Sequence, residues 1–415
     1  MSEMDKNFRW NAAAGLVNAA EAVILLMVAG RTNGLEDAGI LTIAFAVGNL
    51  FVTVGKYGVR NYQVTDLENR FCFTAYYSQR ILSVLLMGTV TAAYMTACRI
   101  WKGYSWYKIS IVVLICMIYM VESLEDVFWG YYQKNGHLDL GAKIFAGRWL
   151  LHLLIASAML VFTRNLTVSL LAGLAGGAVF SICANRKQIA GSDEKPEWKP
   201  ALAFPVFKAC FPLFLSTFMT NYVANAPKYA IDRYMPSTAQ ACYGYIAMPV
   251  FVVSLLNSFL YQPLLVDLTV DWKEKRLKKF RRRLYRQFAF LVLLTAACVA
   301  GGFVCGIPVL SFLYHVDLSS YQAELVILLA AGGLQAAAAY AGVVMTIMRI
   351  QKKVMYGYGT VSVAACLCTG RFVREYGVRG AAWLYAGWMA CLALFFIGCI
   401  YQKLYEEGKI SGCVT

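Results

Sequence analysis

Charge is scarce in this sequence: only 15% of its 415 residues are Asp, Glu, Lys or Arg, against about a quarter in an ordinary soluble protein. The shortfall excludes a chain of conventional water-soluble domains, because most of the surface must face something apolar. Histidine is scarcer still. His137, His152 and His315 stand far apart, so no metal site is expected. The 13 cysteines include no CxxC pair, and Cys366 and Cys368 are too close in sequence for an ordinary bridge. Cys98, Cys116, Cys183, Cys298 and Cys391 lie inside apolar runs and read as small buried hydrophobes. The opening MSEMDKNFRW lacks the apolar core and small-residue cleavage site of a signal peptide, so the first apolar run is expected to be retained. The alternation of membrane β-strands is missing as well.

What remains is overwhelmingly hydrophobic, 60% of residues with a mean hydropathy of +0.56. Apolar runs of about 20 residues, enough to cross roughly 30 Å of hydrocarbon, recur along the whole chain. They must be helices, since lipid offers backbone groups no partners. The expected spans are roughly 11–30, 38–57, 76–98, 107–129, 141–162, 166–185, 204–230, 239–266, 287–314, 321–348, 354–372 and 380–402. The fold class is therefore an all-α integral membrane protein with about 12 transmembrane helices. The link carrying GSDEKPEWKP divides it into two sets of six, giving residues 1–190, a cytoplasmic linker 191–203, and residues 204–415.

A weak internal repeat accompanies this division. Arg31 precedes Asp66 across the Gly-led helix GILTIAFAVGNLFVTVG, and Arg233 precedes Asp267 across GYIAMPVFVVSLLNSFL, with Asn49 and Asn257 in corresponding places. Six spans per half would make the repeats parallel rather than inverted.

The formal net charge is +15, yet it implies no nucleic-acid partner, because the Lys and Arg residues sit in short links. With the N-terminus inside, about 28 of the 38 basic residues fall on the inner side and about 10 outside, which places both termini in the cytoplasm. No outer link exceeds about a dozen residues. Catalysis on the outer face has no loop to hold it, and no catalytic residue or cofactor is expected.

Five motifs carry chemistry. In span one, Glu21 is a carboxylate inside the membrane, expensive unless paired or watered. It reads either as a coupling group or as a protonated carboxyl bonded to a neighbouring helix. Arg31 at the end of that span reads as a substrate contact or as a snorkelling anchor. In GKYGVRNYQVTD, Lys56 and Arg60 offer cations suited to phosphate oxygens; anchoring on anionic lipid is the plainer reading.

In ESLEDVFWGYYQKNG, Glu122, Glu125 and Asp126 share one helical face and require counter-charges, with Arg148 and Arg60 the named partners. Glu122 and Asp126 are then either gating residues or static packing pairs. NYVANAPKYAIDRY places Pro227 among Asn221, Asn225, Lys228, Asp232 and Arg233. Pro227 favours a kink, Lys228 and Asn225 are expected substrate contacts, and Asp232, one turn on, is positioned to neutralise Lys228. The basic stretch WKEKRLKKFRRRLYRQF reads as an inside-retention signal or an interfacial helix on anionic lipid.

At these residues the chain resembles the polysaccharide-export branch of the multidrug/oligosaccharidyl-lipid/polysaccharide flippase superfamily. The resemblance rests on the Arg-ending first span with GLEDAGI, on YGVRNYQVTD, on the acidic end of span four running into GYYQKNGHLDLGAK, and on NAPKYAID. It implies two six-helix bundles around a central cavity. It also implies transfer of a polyprenyl-pyrophosphate-linked oligosaccharide across the bacterial plasma (inner) membrane by alternating access. The implied partners are that lipid-linked oligosaccharide, membrane lipids, a glycan polymerase and glycosyltransferases. A cation-coupled multidrug exporter and a non-transporting scaffold of a glycan-synthesis complex are the alternatives.

Overall fold

The computed structural model describes residues 3–66, 68–189, 195–261 and 264–412; residues 191–194 of the expected linker lie outside that set. Among the described residues every regular element is helical. The chain divides into two compact units, Met1–Asn221 and Tyr222–Thr415.

The first unit contains α1 (Glu3–Thr32), α2 (Leu35–Lys56), the short α3 (Val59–Thr65), α4 (Phe73–Lys102), α5 (Trp106–Lys134), α6 (Leu138–Thr163) and α7 (Leu166–Ile189), and it takes in the start of α8 (Ala203–Tyr234). The second has α9 (Ser237–Tyr261), α10 (Leu265–Lys273), α11 (Leu277–Gly301), α12 (Ile307–Tyr314), α13 (Gln322–Ile347) and α14 (Gln351–Gly412). Nine stretches of described helix meet the length and hydropathy needed to cross a bilayer. α14 supplies two crossings, and α5 and α9, at 29 and 25 residues, are long enough as well. The twelve expected spans are all present.

Local sequence chemistry sets the element ends. α2 stops at Tyr57 in a left-handed conformation, within GKYG, and α3 starts immediately after Gly58. Ser105 caps α5 by accepting the Lys108 N–H at 3.2 Å. α14 bends at Gly377, whose φ of 60° and ψ of −142° belong to a region essentially reserved for glycine. That break separates the two last expected spans.

Three boundaries differ from expectation. α9 ends at Tyr261, short of the expected 266, and a separate α10 follows. The basic stretch 277–286 is the beginning of α11 itself, continuous with the span. α8 runs helical through Pro212 and Pro227 to Tyr234, past the expected end at 230.

Small residues set the helix spacing in the first unit. A Cβ on Gly55 of α2 would lie 2.5 Å from Ser123 Oγ of α5, a close approach that only glycine allows. Around the same end, Tyr57 stacks on Phe214 with centroids 4.4 Å apart and meets Phe207 edge-on at 4.7 Å. Phe73, Tyr76 and Val127 complete this buried aromatic cluster.

Candidate functional site

The charges expected to need partners collect at one end of the first unit. Their arrangement follows from helix adjacency. α5 brings Glu122, Glu125 and Asp126 into the middle of α2, α4 and α6, each of which contributes a cation. Lys56 Nζ of α2 lies 2.5 Å from Glu122 Oε1. Arg148 of α6 binds Glu125 through Nε and approaches Glu122 Oε2 at 3.8 Å with Nη2. Arg80 of α4 donates to Asp126 Oδ2 at 2.8 Å and to the Gly55 carbonyl at 2.9 Å. Arg60 of α3 reaches Asp126 Oδ1 at 3.8 Å, donates to Gln133 Oε1 at 2.9 Å, and lies over the Trp129 ring at 3.7 Å.

Two classes of cation emerge. The Arg80 and Arg148 side chains are 0% and 2% exposed, whereas Lys56 and Arg60 are 34% and 22% exposed. Glu122 and Asp126 are each shared between one cation of either class. A rim cation can therefore leave its carboxylate without orphaning it, because the buried cation remains. Breaking a buried pair outright costs about 3–5 kcal/mol, and the sharing avoids most of that. Lys56 and Arg60 are thus the cations whose departure leaves Glu122 and Asp126 still paired. Arg60 offers a planar fork for phosphate oxygens, already oriented by the Trp129 ring.

Glu21 of α1 is 2% exposed and accepts from Tyr119 OH at 3.4 Å; its Oε1 has no hydrogen-bond donor among the described residues. Outside the spans, Asp66 closes the α3–α4 link. Burial pushes its carboxyl up, but Tyr76 OH at 2.7 Å, the N–H groups of Arg70 and Phe71 at 3.0 and 3.2 Å, and Lys134 Nζ at 3.9 Å together hold it below the usual carboxylate range.

The remaining expected site residues lie elsewhere. Arg31 is exposed at the far end of α1. α2 runs back from there to Lys56 over 22 residues, about 30 Å, so Arg31 does not join the cluster. Asn225 is buried in the second unit and Lys228, one turn on, is half-buried. Asp232 is engaged in a polar or electrostatic interaction, and helical spacing puts it on one face with Lys228.

Arg80 escaped sequence reading. It lies a few residues inside the apolar run of span three, where an arginine reads as one more basic residue of the inner side. The signal was available: an arginine within a span calls for an intramembrane carboxylate, and Asp126 is it.

Solved structures provide a comparison for this arrangement of helices. An inward-facing multidrug resistance MATE transporter of the MOP superfamily superposes with a TM-score of 0.68 at 11% identity, covering 96% of each chain. The lipid II flippase MurJ in an inward closed conformation gives 0.66 at 13% identity, covering 95% of this chain and 89% of its own. The chain shares the fold of these two solved proteins. A capsular polysaccharide biosynthesis protein, CapF of Staphylococcus aureus, is 21% identical over 330 residues, covering 78% of this chain and 81% of its own length. No protein-family model matches the chain. One of these proteins is a multidrug resistance transporter and the other a lipid II flippase, so the shared fold by itself selects no function.

Proposed function

We propose that the chain is a flippase moving a polyprenyl-pyrophosphate-linked oligosaccharide across the bacterial plasma membrane, by alternating access, for surface polysaccharide synthesis. The observation that carries this reading is the sharing of Glu122 and Asp126 between buried and rim cations. It leaves Lys56 and Arg60 free to bind phosphate while the bundle stays neutralised. The polysaccharide-biosynthesis relative supports the same cargo.

In this reading Lys56 and Arg60 take the pyrophosphate in the first half. Asn225 and Lys228 contact the substrate in the second, and Arg31 does so at the outer end of span one. Glu122 and Asp126 act as the gate that opens when the rim cations change partner, and Glu21 and Asp232 respond to coupling. Residues 1–190 and 204–415 form the two bundles, with 191–203 and both termini in the cytoplasm. Glycosyltransferases supply the substrate and a glycan polymerase consumes it. Deletion of the gene is expected to abolish a surface glycan while lipid-linked repeat units accumulate inside. An unchanged surface glycan, in a strain without a related protein, contradicts the reading.

A second reading, a cation-coupled drug exporter, is favoured by one feature. Glu21 is buried with a single weak donor, an arrangement suited to proton or cation exchange. It requires that overexpression raise drug tolerance and that Glu21→Gln remove the gain. Unchanged tolerance excludes it.

A further inference from the structure

The second unit contains a feature that transport does not use. α11 begins with Leu277-Lys-Lys-Phe-Arg-Arg-Arg, and a cavity of about 590 Å³ at this end is lined by Lys275, Arg276, Lys278, Lys279 and Arg281, with Leu404 of α14. Arg276 is held by Asp271 and Glu274. Lys275, Lys278, Lys279 and Arg281 have no ion-pair partner among the described residues. Four positive charges therefore converge on one opening without internal compensation, which mutual repulsion disfavours unless an anion is present.

One turn further along both helices the character of the surface changes. A groove of about 580 Å³ runs between α11, α13 and the end of α14, with Leu284, Phe288 and Leu291 on one wall and Leu334, Leu394 and Ile397 on the others. It follows α11 from Leu284 to Val299, about 22 Å at 1.5 Å per residue. Tyr285 and Tyr401, rings 6.1 Å apart, stand where the cationic and apolar parts meet, the amphipathic position that tyrosine favours at a membrane interface.

We propose that these two parts are one site for an anionic phospholipid of the surrounding bilayer. Its phosphate is held by Lys275, Lys278, Lys279 and Arg281, and one acyl chain lies along the groove. Charge complementarity selects an anionic head, and the apolar walls select a chain. A basic segment that served only topology would need no groove beneath it. The lipid-linked oligosaccharide is a poorer fit, because the cationic cavity is lined by no aromatic ring, amide or unpaired carboxylate that a sugar could use.

The test uses the purified full-length chain in detergent and native mass spectrometry, with phosphatidylglycerol, phosphatidylcholine of the same acyl chains, and polyprenyl phosphate as probes. Phosphatidylglycerol is expected to be retained at least ten-fold better than phosphatidylcholine. Neutralising the four cations to Gln is expected to lower that retention by about five-fold per residue at low salt. Ala296→Trp, which fills the groove and leaves every cation in place, is expected to weaken it as well. Equal retention of the two phospholipids by the wild-type chain overturns the proposal and needs no variant to fold. Retention unaffected by Ala296→Trp reduces the site to a surface charge patch, and preferential retention of polyprenyl phosphate assigns it to the substrate; either result also overturns the proposal.

Discussion

In the first unit four cations and three carboxylates are packed among α2, α3, α4, α5 and α6, and every carboxylate has a cation from another helix. In the second unit the ion-pair cations are more exposed. Arg283 and Arg276 reach back to α10 and its following turn, and Arg379, 61% exposed, holds Glu324 at 3.0 Å. Among the described residues Lys228 has no ion-pair partner there. The contrast shows that ionic groups in a membrane bundle serve different ends according to what they join. Pairs between spanning helices brace the packing, and in the proposed function a cation that shares its carboxylate with a buried one is what a ligand engages.

Substitutions that break this contrast have graded effects. The largest is expected at Arg148: Arg148→Ala bares Glu125 and should cost about 3–5 kcal/mol, read as lost thermal stability or failed insertion. Arg80→Ala, which leaves Asp126 with Arg60 at 3.8 Å, should come next. A comparable loss from Lys228→Ala would erase the distinction between the two units.

Next comes the rim. Lys56→Gln with Arg60→Gln should reduce substrate export at least ten-fold while costing only about 1 kcal/mol of stability per pair, since Arg148 and Arg80 still neutralise Glu122 and Asp126. Melting measured beside export separates these two consequences.

A smaller effect is expected at Asp66. Its carboxyl is held below the ordinary range in the folded chain, so its contribution is fully present at neutral pH, above the unfolded value, and fades as pH falls through the lowered folded one. Asp66→Asn should cost about 1 kcal/mol at pH 7 and flatten the acid limb of the stability profile. An acid limb identical to wild type would mean that other carboxylates dominate it. Lys228→Gln is expected to have the smallest effect on stability, within about 0.5 kcal/mol, because no ion pair is lost. In the proposed function it still impairs transport.

Most of the architecture could be read from the chain because it depends on run length. An apolar stretch of about 20 residues has one solution in lipid, and Gly377 marks the interruption between the last two spans. The i, i+3, i+4 spacing of Glu122, Glu125 and Asp126 likewise showed that partners were needed. Which cation meets which acid was not legible, because that depends on α2, α4 and α6 all packing around α5. Arg80 was hidden by lying near a span end, where arginine usually snorkels. The short, polar α3 also escaped, and the helical reading of the basic stretch did not reveal that it runs straight into the span.

The central claim is that Lys56 and Arg60 exchange their shared carboxylates for the phosphates of a lipid-linked oligosaccharide. The most direct measurement is transbilayer movement of a fluorescent polyprenyl-pyrophosphate oligosaccharide in vesicles containing the purified chain, wild type beside Lys56→Gln/Arg60→Gln. The account predicts movement with the wild type and at least ten-fold less with the double variant, at near-wild-type melting. Movement by the double variant at the wild-type rate, or none by a folded wild type, would contradict it.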